Sequence, residues 1–246
     1  MKFVFMVFYA LVAVTSVSAY TVVIDAGHGG RDPGATGING IKEKAVCLQF
    51  SQDLKAALEQ FEGVAVKMTR DGDHRYTLAQ RSEKIAQIKP DLVISIHMDK
   101  SPVARLVGMS LYTQSVHSAK NASKHRLQRQ FLRDHIPKSL SSPLQDKMQA
   151  MLMDAALYNS EKLAAHIVNE LKSVLPFRSK KVIHRELYLL HQAVPNLLIE
   201  VGFISNSKDV QRMQNKVVRE NIAQGLAKSI VDFGQEMGMI VGAGQK

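Results

Sequence analysis

Short runs almost continuous in Val, Ile and Leu alternate along the chain with longer segments whose apolar residues recur at helical spacing. This alternation constrains the fold more than any other feature. A run that is apolar on both faces reads as a strand buried on both sides, and such strands separated by helices make a parallel sheet with helices covering it. The runs fall at residues 21–25, 64–69, 92–97, 107–113, 182–189 and 196–201. One helix is expected over 42–61, where Ala45, Leu48, Leu54, Ala57, Leu58 and Phe61 keep a helical period until Gly63; others are expected over 78–88, stopped by Pro90, and over 217–233. The expected fold class is α/β: a single domain with a mostly parallel central sheet of about six strands, flanked by helices and carrying a partly helical insertion. With 46% apolar and 22% charged residues, the chain has the composition to bury such a core.

Three segments depart from the rhythm. Residues 1–19 open with Met1 and Lys2, continue with an apolar run from Phe3 to Val14 and end on Val17, Ser18 and Ala19, the small-x-small pattern of a cleavage site. They read as a secretory signal peptide, too short in its apolar part to span a membrane, and no later run approaches a transmembrane length. The expected location is thus periplasmic or secreted. Residues 114–158 look like an insertion into a strand-to-helix connection, since such connections usually take only about 2 to 6 residues. Its second half, from Ser142 and Pro143 through Leu144, Met148, Met151, Leu152 and Ala155, has a cap, an early proline and an apolar stripe, and is expected to be helical up to Tyr158. The expected layout is a signal peptide at 1–19, one domain at 20–236 and a C-terminal tail at 237–246, frayed from Gly238 onward.

The chemistry concentrates where an α/β sheet places its ligands, outside the carboxyl ends of the strands. After the first strand comes a glycine-dense loop, Asp25-Ala26-Gly27-His28-Gly29-Gly30-Arg31-Asp32-Pro33-Gly34-Ala35-Thr36-Gly37. It lacks the third glycine of a dinucleotide fingerprint, Asp32 standing there, and the Gly-Lys-Ser/Thr of a phosphate loop. His97 ends the apolar run 92–96, Glu200 ends 197–199, and Glu43 falls in the first turn of the helix after the glycine loop. His28, His97 and a carboxylate from either Glu43 or Glu200 can therefore converge. Two imidazoles and a carboxylate make a three-ligand zinc shell with a fourth position open to water, and the remaining carboxylate can act as general base. The single cysteine, Cys47, excludes an intrachain disulfide framework and a multi-cysteine zinc site, and its place inside a helix speaks against a nucleophile.

Several of these segments occur together, in order, in a known family. Ile24-Asp25-Ala26-Gly27-His28-Gly29-Gly30 with Asp32-Pro33-Gly34-Ala35, then Gly40-Ile41-Lys42-Glu43-Lys44, Thr69-Arg70, Leu78 with Arg81, Ser95-Ile96-His97, and Glu200-Val201-Gly202-Phe203-Ile204-Ser205-Asn206 resemble the zinc-dependent N-acetylmuramoyl-L-alanine amidases, the bacterial cell-separation enzymes of AmiA, AmiB and AmiC type. The resemblance spans residues 21–233. It implies that His28, Glu43 and His97 bind Zn2+ and that Glu200 is the catalytic carboxylate. It further implies a peptidoglycan substrate, cut at the amide between N-acetylmuramic acid and the L-alanine of the stem peptide, and a divisome-associated activator protein as partner. Ala26 and Met98 depart from the family pattern, so the pocket beside the metal is expected to be narrower or more apolar. His74, His117, His125, His135, His166, His184 and His191 match no role.

In longer members of the family a helix at the place of the insertion covers the zinc, with a glutamate as an extra ligand. Residues 114–158 contain no glutamate, only Asp134, Asp146 and Asp154 as acids, so autoinhibition is expected to be weak or absent. The formal charge of +10 favours a polyanionic partner such as an acidic wall polymer. Nucleic acid is disfavoured because no recognition module appears and the chain reads as exported. Two rival functions share the site: a zinc peptidase acting within the stem peptide, and a catalytically inactive wall-binding scaffold.

Overall fold

In a computed structural model, residues 19–115, 136–187 and 193–241 are described. Residues 1–18, which fall in the segment expected to be a signal peptide, the first part of the insertion (116–135) and the last residues (242–246) lie outside them, as do His117, His125, Asp134, His135 and His191. Six strands form one sheet: β1 (Tyr20–Ala26), β2 (Val64–Met68), β3 (Leu92–Asp99), β4 (Ser110–Gln114), β5 (Ile183–Arg185) and β6 (Asn196–Phe203), in the order β2-β1-β3-β6-β4-β5. All neighbours run parallel except β4 and β6. The helices are α1 (Glu43–Leu58), α2 (Leu78–Ile88), α3 (Ser142–Leu171), α4 (Ser207–Gln214) and α5 (Lys216–Glu236). The α/β architecture with a mostly parallel six-stranded sheet is as the sequence predicts.

The two faces of the sheet are unequal. Val22 and Ile24 of β1, Leu92, Ile94, Ile96 and Met98 of β3, and Leu197, Ile199 and Val201 of β6 pack into one large core with α1, α3 and α5. Because side chains alternate across a strand, the intervening residues face the other way. There, among the described residues, Val23 and Val93 form a small buried cluster with Ile85 of α2, with Ile88, Leu187, Val194 and Leu198 partly buried around them. Asp25, Ser95, His97 and Glu200 belong to this sparsely covered face, which leaves room for a site.

Local signals place the helices. Thr77 caps α2 in a reciprocal box with Gln80, and the helix ends at Lys89 in the left-handed conformation just before Pro90. A second signal misleads. The 114–158 insertion and the helix after it are not separate, because α3 runs unbroken for 30 residues from Ser142 to Leu171, with Ser141 as its N-cap. The apolar stripe read from the sequence is also only partly buried. Leu144 and Met151 are exposed, Met148 and Leu152 pack on Ile136 alongside Leu140, Ala193 and Val194, and the buried residues of this half are Met153 and Ala156. Nor does the chain fray at Gly238, since Ile240 is buried in the large core and its N–H donates to the Gly234 carbonyl. The strand expected over 182–189 spans only Ile183–Arg185, with 188–189 outside the described residues, and α4 has no counterpart among the expected helices.

Candidate metal centre

The glycine loop leaves β1 and returns to α1, so that a ligand from each stands beside β3. His28 adopts a left-handed backbone (φ 59°), a conformation that costs a residue with a side chain about 1–3 kcal/mol unless its surroundings hold it there. Glu43 is the first residue of α1, and its N–H donates to the Ala35 carbonyl across the loop at 2.9 Å. His97 lies two residues before the end of β3, beside a register irregularity between His97 and Asp99. Its register partner on β6 is Glu200.

These side chains converge on one point. His28 Nε2 lies 2.9 Å and His97 Nδ1 3.0 Å from the same oxygen, Glu43 Oε1. The two imidazole rings meet edge to face at 5.1 Å. One ligand atom from each of the three residues falls within 4.8 Å of the others, and among the described residues no other cluster of His, Cys, Asp and Glu does so. His28 Nδ1 is 3.0 Å from Asp32 Oδ2, so a hydrogen shared with that carboxylate leaves the Nε2 lone pair facing the centre. Close packing enforces the arrangement. A Cβ on Gly27 would come 2.5 Å from His97, and one on Gly34 would meet both His28 and Glu43. Two nitrogens and an oxygen gathered in this way fit a small divalent cation.

Charge follows the geometry. Burial works against ionisation of Glu43, but the adjacent His28 and His97 imidazoles and the Ala35 N–H outweigh it and hold the carboxyl well below the usual range. For His28 burial again opposes charge, yet Glu43 and Asp32 win and raise its pKa. Glu200 is the opposite case: burial pushes its carboxyl well above the usual range, the nearby Asp99 and Glu43 add to the effect, and Arg185 offsets part of it. Its Oε2 is buried with no hydrogen-bond partner. A carboxyl that binds a proton so readily, next to a metal-ligand cluster, is suited to acid–base work.

A cleft of about 640 Å³ opens beside the cluster, bordered by His28, His97, Arg75, Leu78, Glu186 and Leu187. That is the size of a small-molecule or peptide subsite. The structure brings together the three residues expected as ligands, with Glu200 opposite His97 in register, while this rim and Asp32 beside His28 have no place in the sequence reading. Met98 also departs from that reading, since its side chain points into the large core on the opposite face and does not narrow the pocket, and Ala26 is likewise fully buried. Of the other described histidines, His166 pairs with Glu236 and His184 with Glu161, while His74 is exposed and lays its backbone carbonyl against Gly29 of the ligand loop.

Known proteins resemble the chain in both sequence and fold. A family profile described as N-acetylmuramoyl-L-alanine amidase matches residues 22–232. The chain is 29% identical over 218 residues to N-acetylmuramoyl-L-alanine amidase AmiA of Escherichia coli, covering 86% of this chain and 75% of that protein. It is 30% identical to the probable amidase AmiB of Haemophilus influenzae, covering 94% of this chain but only 56% of the relative. Among solved structures, amidase AmiC2 of Nostoc punctiforme superposes with a TM-score of 0.63 at 23% identity, covering 87% of this chain and 97% of that one. The CwlD amidase of Clostridioides difficile, solved in complex with the GerS lipoprotein, superposes with a TM-score of 0.66 at 24% identity over 88% and 99% of the two chains. At such identities these structures speak for a shared fold, whereas the profile spans nearly all of the described domain, and on that match the chain belongs to the N-acetylmuramoyl-L-alanine amidase family of cell-wall hydrolases.

Proposed function

We propose that the protein is an exported, zinc-dependent peptidoglycan amidase that cuts the bond between N-acetylmuramic acid and L-alanine, with His28, Glu43 and His97 as metal ligands and Glu200 as general base. The observation that carries the reading is the convergence of His28 Nε2 and His97 Nδ1 on one oxygen of Glu43, beside a buried carboxyl with an orphan oxygen. Zinc held by His28, Glu43 and His97 would supply Lewis-acid chemistry, polarising an amide carbonyl and making water more acidic. Glu200 accepts the water proton and returns it to the departing amine, a shuttle favoured by its elevated proton affinity. The cleft beside His28 and His97 receives the stem peptide, and the basic character of the chain concentrates it on an anionic wall. Export rests on the character of residues 1–19, and a role in cell separation with an activator protein rests on the family resemblance and on the precedent of the amidase solved with a lipoprotein.

Two sets of variants test the assignment. Glu200→Gln is expected to keep one zinc per chain while losing about 10²- to 10⁴-fold in hydrolysis, the usual cost of removing a general base. His28→Ala and His97→Ala are expected to lose the metal itself. Full zinc occupancy in either histidine variant, or activity near wild type in Glu200→Gln, would refute these roles. A zinc peptidase acting within the stem peptide shares the same ligands and differs only in the bond cut.

A further inference from the structure

We propose that Arg70 and Arg81 are positioning residues for the metal ligands, two buried guanidinium groups that fix His28 and Glu43 relative to one another, an inference that rests on the zinc reading above. Three successive carbonyls of the ligand loop, those of Ala26, Gly27 and His28, are each taken by one or both arginines. Arg81 donates to the Ala26 carbonyl at 2.6 Å and to that of His28, and Arg70 donates to Ala26 at 2.9 Å and to Gly27 at 2.6 Å. The same Arg70 Nη2 donates to the carbonyl of Lys44, the residue after Glu43, at 2.9 Å. One guanidinium thus ties the loop that carries His28 to the helix turn that carries Glu43. Arg81 in turn is anchored by Asp25 at 2.7 Å, and Asp25 also accepts from the hydroxyls of Thr69 and Ser95, the latter two residues before His97 on the same face of β3. All three charged groups are nearly inaccessible, at 2% for Arg70, 4% for Arg81 and 1% for Asp25.

A planar fork of donors can hold several carbonyls at once, which a lysine ammonium on a flexible stem cannot reproduce. The backbone of His28 sits in a conformation that needs such restraint, and the carbonyl of His28 is itself one of the acceptors. Removing groups that orient metal ligands typically weakens metal binding by about 10- to 100-fold. Arg70→Lys and Arg81→Lys keep the charge and lose the fork.

The test measures zinc dissociation constants by competition with a chromogenic chelator, together with thermal melting of the metal-free chains. Arg219→Lys serves as the structural control. Its arginine is also buried, pairs with Asp53 and donates to the Met213 carbonyl, away from the centre. We expect Arg70→Lys and Arg81→Lys to bind zinc about 10- to 100-fold more weakly while folded, and Arg219→Lys to lower the melting temperature with unchanged zinc affinity. Wild-type affinity in both folded lysine variants would overturn the proposal and leave the arginines as ordinary structural residues. Should either lysine variant fail to fold, Asp25→Asn decides, since it preserves shape and removes the negative charge that anchors Arg81; wild-type zinc affinity there would likewise overturn it. Failure of wild type to bind zinc, or undiminished binding in His28→Ala, would instead sink the zinc reading itself.

Discussion

Glu200 shows the tension between what a site needs and what a fold prefers. A carboxyl buried with one oxygen unpartnered is an unfavourable place for a negative charge. Burial raises its pKa in the folded chain above the unfolded value, so the folded form holds the proton more tightly. Stability from this group is full below the unfolded pKa of about 4.3 and declines as pH rises through the folded value. We therefore expect Glu200→Gln, freed of zinc by a chelator, to melt at a higher temperature than wild type at pH 8, with the difference shrinking as pH falls toward 4. A variant no more stable than wild type at pH 8 would mean that the carboxylate finds a partner in solution. His97, Glu200 and Glu43 stood out as polar residues at the end of an apolar run or at a helix start, and His28 as the imidazole of the glycine loop after the first strand, which is where α/β sheets expose their ligands. Arg70 also ends an apolar run, and Arg81 and Asp32 stand in segments that carry the resemblance, yet nothing in the sequence assigned any of them a role. An arginine that clamps backbone carbonyls of a distant loop leaves no local pattern, since its partners depend on how three loops meet in space.

Among the elements, α3 is where sequence and structure part most. Its first half carries apolar residues on two faces, so Leu144, Met151 and Tyr158 continue a helical period without being buried, at 52%, 64% and 62% exposure. Periodicity reports that a helix forms but does not say which of two stripes the core takes. The buried stripe begins at Met153 and Ala156 and runs on through Leu163, Ala164 and Ile167 into the core, which is why no break occurs at Tyr158. At about 1.5 Å per residue its 30 residues make a helix about 45 Å long. Asp146 and Asp154 on its first half stand outside the metal-ligand cluster. Asp146→Ala and Asp154→Ala are each expected to change activity on purified sacculi by less than about tenfold, under about 1.4 kcal/mol of barrier. A hundredfold rise from either would reveal an inhibitory aspartate that reaches the metal in another arrangement of this helix.

For the whole molecule, the unequal faces of the sheet divide the labour. The face covered by α1, α3 and α5 holds most of the apolar core, while the face covered by α2 holds the buried Asp25–Arg81 network and the cleft. Alternation along the strands was readable from the sequence, and so was the fold class. Which face would be crowded was not, because it depends on the side from which each crossing helix packs. In the proposed function the reaction takes place on the sparse face, at the carboxyl end of β3, on the bond between N-acetylmuramic acid and L-alanine. Mass spectrometry of the fragments released from purified peptidoglycan by the zinc-loaded protein tests this most directly. Free muramic acid carboxyl groups together with intact stem peptides beginning in L-alanine are the predicted products; fragments cut within the stem peptide, or sacculi left unchanged, would contradict it.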